Sequence, residues 1–141
     1  MVSDKILSRF QSSPPTDWTD DRDRAINSGP LYPLIEVEKV ISDSNAIRPS
    51  TSDCRADIQE LALDTDDLSE LLRKAIRVGK YRNSVWCRLG KKAIAACDAY
   101  VVRDKAWVEA AHKEMECEYY FKFAINATGK LLLMVSCHLS N

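Results

Sequence analysis

What this chain lacks narrows it first. No apolar run approaches the roughly 20 residues that span a bilayer. The opening residues, Met-Val-Ser-Asp-Lys-Ile-Leu-Ser-Arg-Phe, contain no signal-peptide core. The expectation is a cytoplasmic protein with no membrane partner. The cysteines Cys54, Cys87, Cys97, Cys117 and Cys137 form no C-x-x-C pair, and their odd number and irregular spacing argue against a disulfide framework. The histidines, His112 and His138, are far apart and lack ligand spacing, so no metal and no cofactor is expected; a small zinc protein built on cysteines is the weakest alternative. Repeats and low-complexity tracts are absent. A chain of 141 residues with 45% hydrophobic and 29% charged content has the ordinary make-up of one globular domain.

What is present is unevenly charged. Residues 1–70 hold 7 basic against 15 acidic side chains, a net −8, and residues 71–141 hold 13 against 6, a net +7. A basic half suggests phosphate contacts. The alternative is a solvated surface whose two halves attract each other.

The order of elements reads as α+β: N-terminal helices packed on a small antiparallel sheet. Residues 1–30 form an acidic arm with a Ser-Pro-Pro break, the run Asp20-Asp21-Arg22-Asp23 and a lone Trp18. A short amphipathic helix is expected over Asp4 to Phe10, and the arm could lie across the basic sheet in place of RNA. Residues 31–141 make the single domain. Leu34, Val37, Val40 and Ile41 fall at helical spacing behind Pro33. Ser50 to Asp53 offers caps for a helix through Leu61. Asp64 or Thr65 opens a stronger helix to Val78, with Leu68, Leu71, Leu72, Ala75 and Ile76 as its stripe and Gly79 as its stop. Strands are predicted over Tyr81–Leu89 and Ala96–Arg103, and a long loop or short surface helix over Asp104–Glu116.

The stretch Cys117–His138 carries the clearest pattern. Two apolar, β-rich halves flank Asn126-Ala127-Thr128-Gly129, a hairpin signal. A three-residue loop ending in Gly129 would set Asn126 opposite Lys130. Glu118 would then face His138, and Tyr120 would face Ser136 with His138 on its diagonal. Odd positions, including Leu131, Leu133, Val135 and Cys137, line the core. The even face carries Glu118, Tyr120, Lys122 and His138.

That even face suggests metal-free RNA cleavage, which needs a base for the 2′-hydroxyl, an acid for the leaving oxygen and cations around the phosphorane. His138 suits the acid or base role, and Glu118 could orient it or take the first proton. Arg82 and Lys122 could hold the phosphate. Tyr120 could donate a hydrogen bond or stack on a base. Arg88, Lys91 and Lys92 extend the expected RNA contacts. Each has a bland alternative. His138 lies near the last residue and could be plain surface. Tyr120 and Lys122 could form an ordinary solvated strand face, and Arg82 could pair with a helix acid. Asp98 and Tyr100 could be a structural pair, and Trp86 and Trp107 packing anchors.

In their order these segments resemble the MqsR family of toxins from toxin–antitoxin pairs. The similar stretches are Leu34–Val40, Ala62-Leu63-Asp64 with the helix after it, Tyr81-Arg82-Asn83-Ser84, Asp98-Ala99-Tyr100, Tyr120-Phe121-Lys122-Phe123 and Val135-Ser136. The resemblance implies a RelE-like sheet with helices on one side, a messenger RNA substrate and a cognate antitoxin partner. It implies catalytic roles at His138, Tyr120 and Arg82. The chain departs from the family pattern with Arg82 and His138 in place of lysines and Cys97 in place of a glutamine, which changes the chemistry of those positions.

Overall fold

The computed structural model describes residues 4–140. Its elements run β1 (Lys5–Ile6), α1 (Asp21–Arg24), β2 (Ala25–Ile26), α2 (Leu34–Ile41), a 3-10 turn (Ser44–Ala46), β3 (Ile47–Pro49), α3 (Ser52–Glu60), α4 (Thr65–Val78), β4 (Lys80–Arg88), β5 (Ala93–Val108), β6 (Lys113–Ile125) and β7 (Leu132–Leu139). They build a mixed α+β fold around a seven-stranded, mostly antiparallel sheet in the order β2-β4-β5-β6-β7-β3, with β1 parallel to the start of β5. No helix of the described residues is long and apolar enough to cross a membrane.

The three longer helices form where local chemistry asks for them. Asp64 and Asp67 make a reciprocal capping box that satisfies the first N–H groups of α4. Leu68, Leu71, Leu72, Ala75 and Ile76 then repeat on one face, and all are buried. Fully burying one such leucine stabilises by about 1.5–3 kcal/mol. Gly79 follows because the chain turns back against β5 there: a Cβ would stand 2.3 Å from the Val101 carbonyl oxygen. Thr51 caps α3 through the Cys54 N–H. In α2, Val37, Val40 and Ile41 face the core, whereas Leu34 is 45% exposed.

One face of the sheet takes these helices. It carries Tyr100 and Val102 of β5, Phe121 and Phe123 of β6, and Met134 and Cys137 of β7, all buried with the helix stripes. At the far end of the same face Trp86, Ile94 and Ala96 form a second cluster, covered by Ile6, Phe10, Trp18, Ile26 and Leu31.

The sheet is therefore not built only after the helices. Three short strands from the first half join it, and the helix expected over Asp4–Phe10 is instead β1, which enters the fork where β5 and β6 part. Leu7 donates to the Ile94 carbonyl and Arg9 to the Ile125 carbonyl. The edges of a splayed sheet offer unpaired backbone groups, and satisfying them outweighs a helix of about two turns. The acidic run forms no ion pair with a described cation of the sheet. Asp20 caps α1, Asp21 pairs with Arg24, and Asp23 accepts from Thr16 and Asp17.

Asp104–Glu116 is also strand rather than loop or helix. β5 and β6 stay paired out to Val108↔Lys113 and turn through Glu109–Ala111, with His112 left-handed at φ 56°. Its outer face meets solvent while Ala106 is buried and Val108 packs against the core; the charged residues around these two leave little apolar alternation to mark the strand in the sequence. Trp107, expected to be a packing anchor, is 53% exposed. Its indole N–H donates to Glu109 at 2.6 Å. Trp86, in contrast, is buried.

A candidate nucleic-acid face on the sheet

The β6–β7 hairpin forms with a different register. Asn126 donates to the Leu131 carbonyl, so the loop has four residues, 127–130, closed by Gly129 at φ 75°. The Asn126 side chain accepts from the N–H groups of Lys130 and Leu131, each at 3.0 Å. An even loop reverses the parity of the second strand, so Leu132 and Met134 enter the core and Leu131 and Leu133 are only half-buried. Val135 is then an extra residue: the pairing shifts from Phe123↔Met134 to Lys122↔Ser136. This bulge restores parity and returns Cys137 to the core and His138 to the open face.

The expected pairs move accordingly. Tyr120 lies directly opposite His138, not diagonal to it, and Lys122 lies opposite Ser136. The rings of Tyr120 and His138 stack with centroids 5.0 Å apart and planes 17° from parallel. The Lys122 ammonium stands 5.8 Å from the Tyr120 ring centre, close enough for a cation–π attraction. On the inner side Val101 pairs with Tyr120, and Ala99 with Lys122. His138 is exposed, and its Nδ1 lies 3.0 Å from the Leu139 carbonyl oxygen.

Glu118 does not face His138. It pairs across β5 with Arg103 and accepts from the backbone N–H and hydroxyl of Ser140. The expectation that it orients the histidine rested on the three-residue loop and goes with it. Arg82 sits at a second irregularity, between Tyr81↔Tyr100 and Asn83↔Ala99, where it is exposed and forms no ion pair with a described residue. It shares a cleft of about 530 Å³ with Lys122, Asn83, Asn27 and Arg24. The backbones of β4 and β7 are three strands apart, roughly 14 Å. Arg82 therefore flanks the Tyr120–His138 pair rather than touching it.

The remaining cations lie elsewhere. Arg88 shares the Trp86 side of its strand by alternation. It pairs with Asp4 at 3.5 Å and covers the Trp18 ring at 4.4 Å, so it fastens the leader on the covered face. Lys91 and Lys92 occupy the exposed β4–β5 turn, roughly 27 Å along β5 from the Tyr120 row. Part of the charge asymmetry is spent inside the fold, since Arg77 pairs with Glu38 and Arg88 with Asp4 across the two halves.

Sequence reasoning missed one participant and gave another the wrong partner. Arg24 lines the cleft from the leader; only the β2–β4 pairing of Ala25 with Val85 brings it there. Asp98 is fully buried and accepts from the N–H groups of Leu31 and Tyr32 and from the Ser84 hydroxyl, not from Tyr100. Tyr100 instead stacks on Phe123 at 5.8 Å. Ser84 in turn meets the Tyr81 hydroxyl at 2.7 Å, which holds one wall of the cleft.

Chemically, the face presents an imidazole stacked on a phenol, an ammonium beside them, and a cation-lined cleft next door. Compared with known proteins, the chain matches no family model, no curated protein and no solved structure.

Proposed function

We propose that this protein is a metal-independent, sequence-selective endoribonuclease of the RelE-like kind, a cytoplasmic toxin that cuts messenger RNA and is held in check by a cognate antitoxin. The stacked Tyr120–His138 pair on the uncovered face of the sheet carries this reading. An exposed imidazole can move protons near neutral pH. The phenol beside it can hold the ring, receive a base or donate to an oxyanion. Lys122 adds positive charge to the same row, and Arg82 can grip the neighbouring phosphate with its planar fork.

A second reading has its own support: no carboxylate of a described residue orients His138, and Arg82 is three strands from it. A non-catalytic module that binds RNA or protein through the same face fits those two facts.

His138→Ala separates the two. As a proton-transfer group His138 accounts for about 10²–10⁴-fold of the cleavage rate, so the variant should lose host toxicity and in-vitro cutting. His138 is exposed, and the fold should persist. A variant that cuts RNA at the parent rate removes His138 from the mechanism. A parent that never cuts RNA leaves the binding module.

A further inference from the structure

The cleft between the leader and β4 is more than a margin of the Tyr120–His138 row. It encloses about 530 Å³, within the usual range for small-ligand sites. Three cations line it from three separate elements: Arg24 at the end of α1, Arg82 at the β4 irregularity and Lys122 on β6. Asp21 is its only acid, and it holds Arg24 by one guanidinium nitrogen at 2.5 Å. The Arg24 Nε is buried and has no hydrogen-bond partner among the described residues. A buried donor of this kind is costly unless something accepts from it. Arg82 and Lys122 form no ion pair with a described residue either. Charges from Lys122 and Arg24 both reach the Cys87 thiol, where they add to the larger effect of Cys97 in holding it below its ordinary value. Beside the cations stand two amides, Asn27 and Asn83, each able to donate and accept.

We propose that Arg24, Arg82 and Lys122 form a cradle for one phosphate of single-stranded RNA, with Asn27 and Asn83 reading the edge of the attached base. The leader thus completes the binding surface instead of shielding it. The proposal rests on the endoribonuclease reading for its choice of ligand, and it adds a function for the N-terminal segment. Lys122 shares β6 with Tyr120 and Arg82 lies two strands from it, so the cradle would hold the nucleotide flanking the cut. Three cations against one acid leave a net charge of +2, which suits a phosphate within a polyanionic strand, and paired amides suit a flat edge with donors and acceptors. Unstacked bases of single-stranded RNA offer both.

The test uses the full chain and a 2′-O-methyl RNA tetranucleotide, which binds but cannot be cleaved. Arg24→Ala should raise its Kd roughly tenfold, the size of one charge-assisted contact. It should also reduce the slope of log affinity against log salt by about 0.7, the value for one phosphate of a single strand. Arg24→Lys should recover part of the affinity. Lys130→Ala, in the β6–β7 loop, should change nothing. Inorganic phosphate should bind far more weakly than the tetranucleotide, and an unphosphorylated nucleoside weaker still. An unchanged Kd for Arg24→Ala overturns the cradle, with Arg24→Gln read in its place if the alanine variant does not fold. Inorganic phosphate binding as tightly as the tetranucleotide overturns the assignment to RNA. Arg24-dependent binding without cleavage of unmodified RNA supports the cradle while refuting the nuclease. Cleavage with no dependence on Arg24 does the reverse.

Discussion

Asp98→Ala is the sharpest probe of how the leader is tied to the sheet. Asp98 is fully buried, and it accepts from the Leu31 N–H at 2.9 Å and the Tyr32 N–H at 3.0 Å. The Ser84 hydroxyl also donates to it but has Tyr81 as a second partner. Truncation therefore orphans two backbone N–H groups, each costing about 1–3 kcal/mol. Against this stands relief of a buried carboxylate: burial pushes its pKa up, more than the hydrogen bonds from Ser84, Leu31 and Tyr32 pull it down. The net loss should be about 2–4 kcal/mol. At about 4 °C per kcal/mol for a chain of this size, the melting temperature should fall by about 8–16 °C. Asp98→Asn should recover little, because its amide nitrogen would meet an N–H donor. The pH dependence has a definite sign. A carboxyl whose folded pKa lies above its unfolded value stabilises fully below the unfolded value, and that contribution is lost as pH rises through the folded one. The deficit of Asp98→Ala should therefore be larger near pH 4 than near pH 7. Thermal melts followed by circular dichroism at both pH values measure it. An alanine variant melting within about 2 °C of the parent would refute the reasoning.

Three other outcomes are expected. Deleting Val135 removes the bulge but leaves Met134 opposite Phe123, Ser136 opposite Lys122 and His138 opposite Tyr120 in a regular ladder, so the variant should keep a native-like near-UV circular dichroism; loss of that spectrum would mean that Val135 is not the extra residue. Removing residues 1–30 uncovers Trp86, Ile94 and Ala96, so the melting temperature should drop well beyond a few degrees; a drop of only a few degrees would mean the leader adds little to the core. RNA affinity should fall steeply with salt. Charge reversal at Lys91 and Lys92 should weaken binding much less than Lys122→Ala, because the two lysines lie far along the sheet; an equal loss in filter binding would extend the footprint to that end.

Much of this architecture was legible in the residues themselves. Helices α3 and α4 begin at Thr51 and Asp64 because those side chains satisfy the first free N–H groups. The α4 stripe repeats with the helical period, and Gly79 ends it. These are local effects, decided within one or two turns of chain. The apolar content of both halves of Cys117–His138 likewise announced a hairpin, and one with an open face that bears Tyr120, Lys122 and His138. Which of those residues meet was not local. An even loop and a bulge at Val135 are each parity changes of one residue, and only their sum, enforced by helices packing on the other face, brings His138 opposite Tyr120. The leader shows the same limit. Nothing in Asp4–Phe10 marks a strand, because its partners are backbone groups of Ile94 and Ile125, exposed only where β5 and β6 diverge. Arg24 reaches Arg82 and Lys122 only because Ala25 pairs with Val85. Sequence alone determined the periods, the caps and the chemistry available. Tertiary pairing decided which of those groups share a surface, since register depends on distant backbone partners and not on the residue beside it.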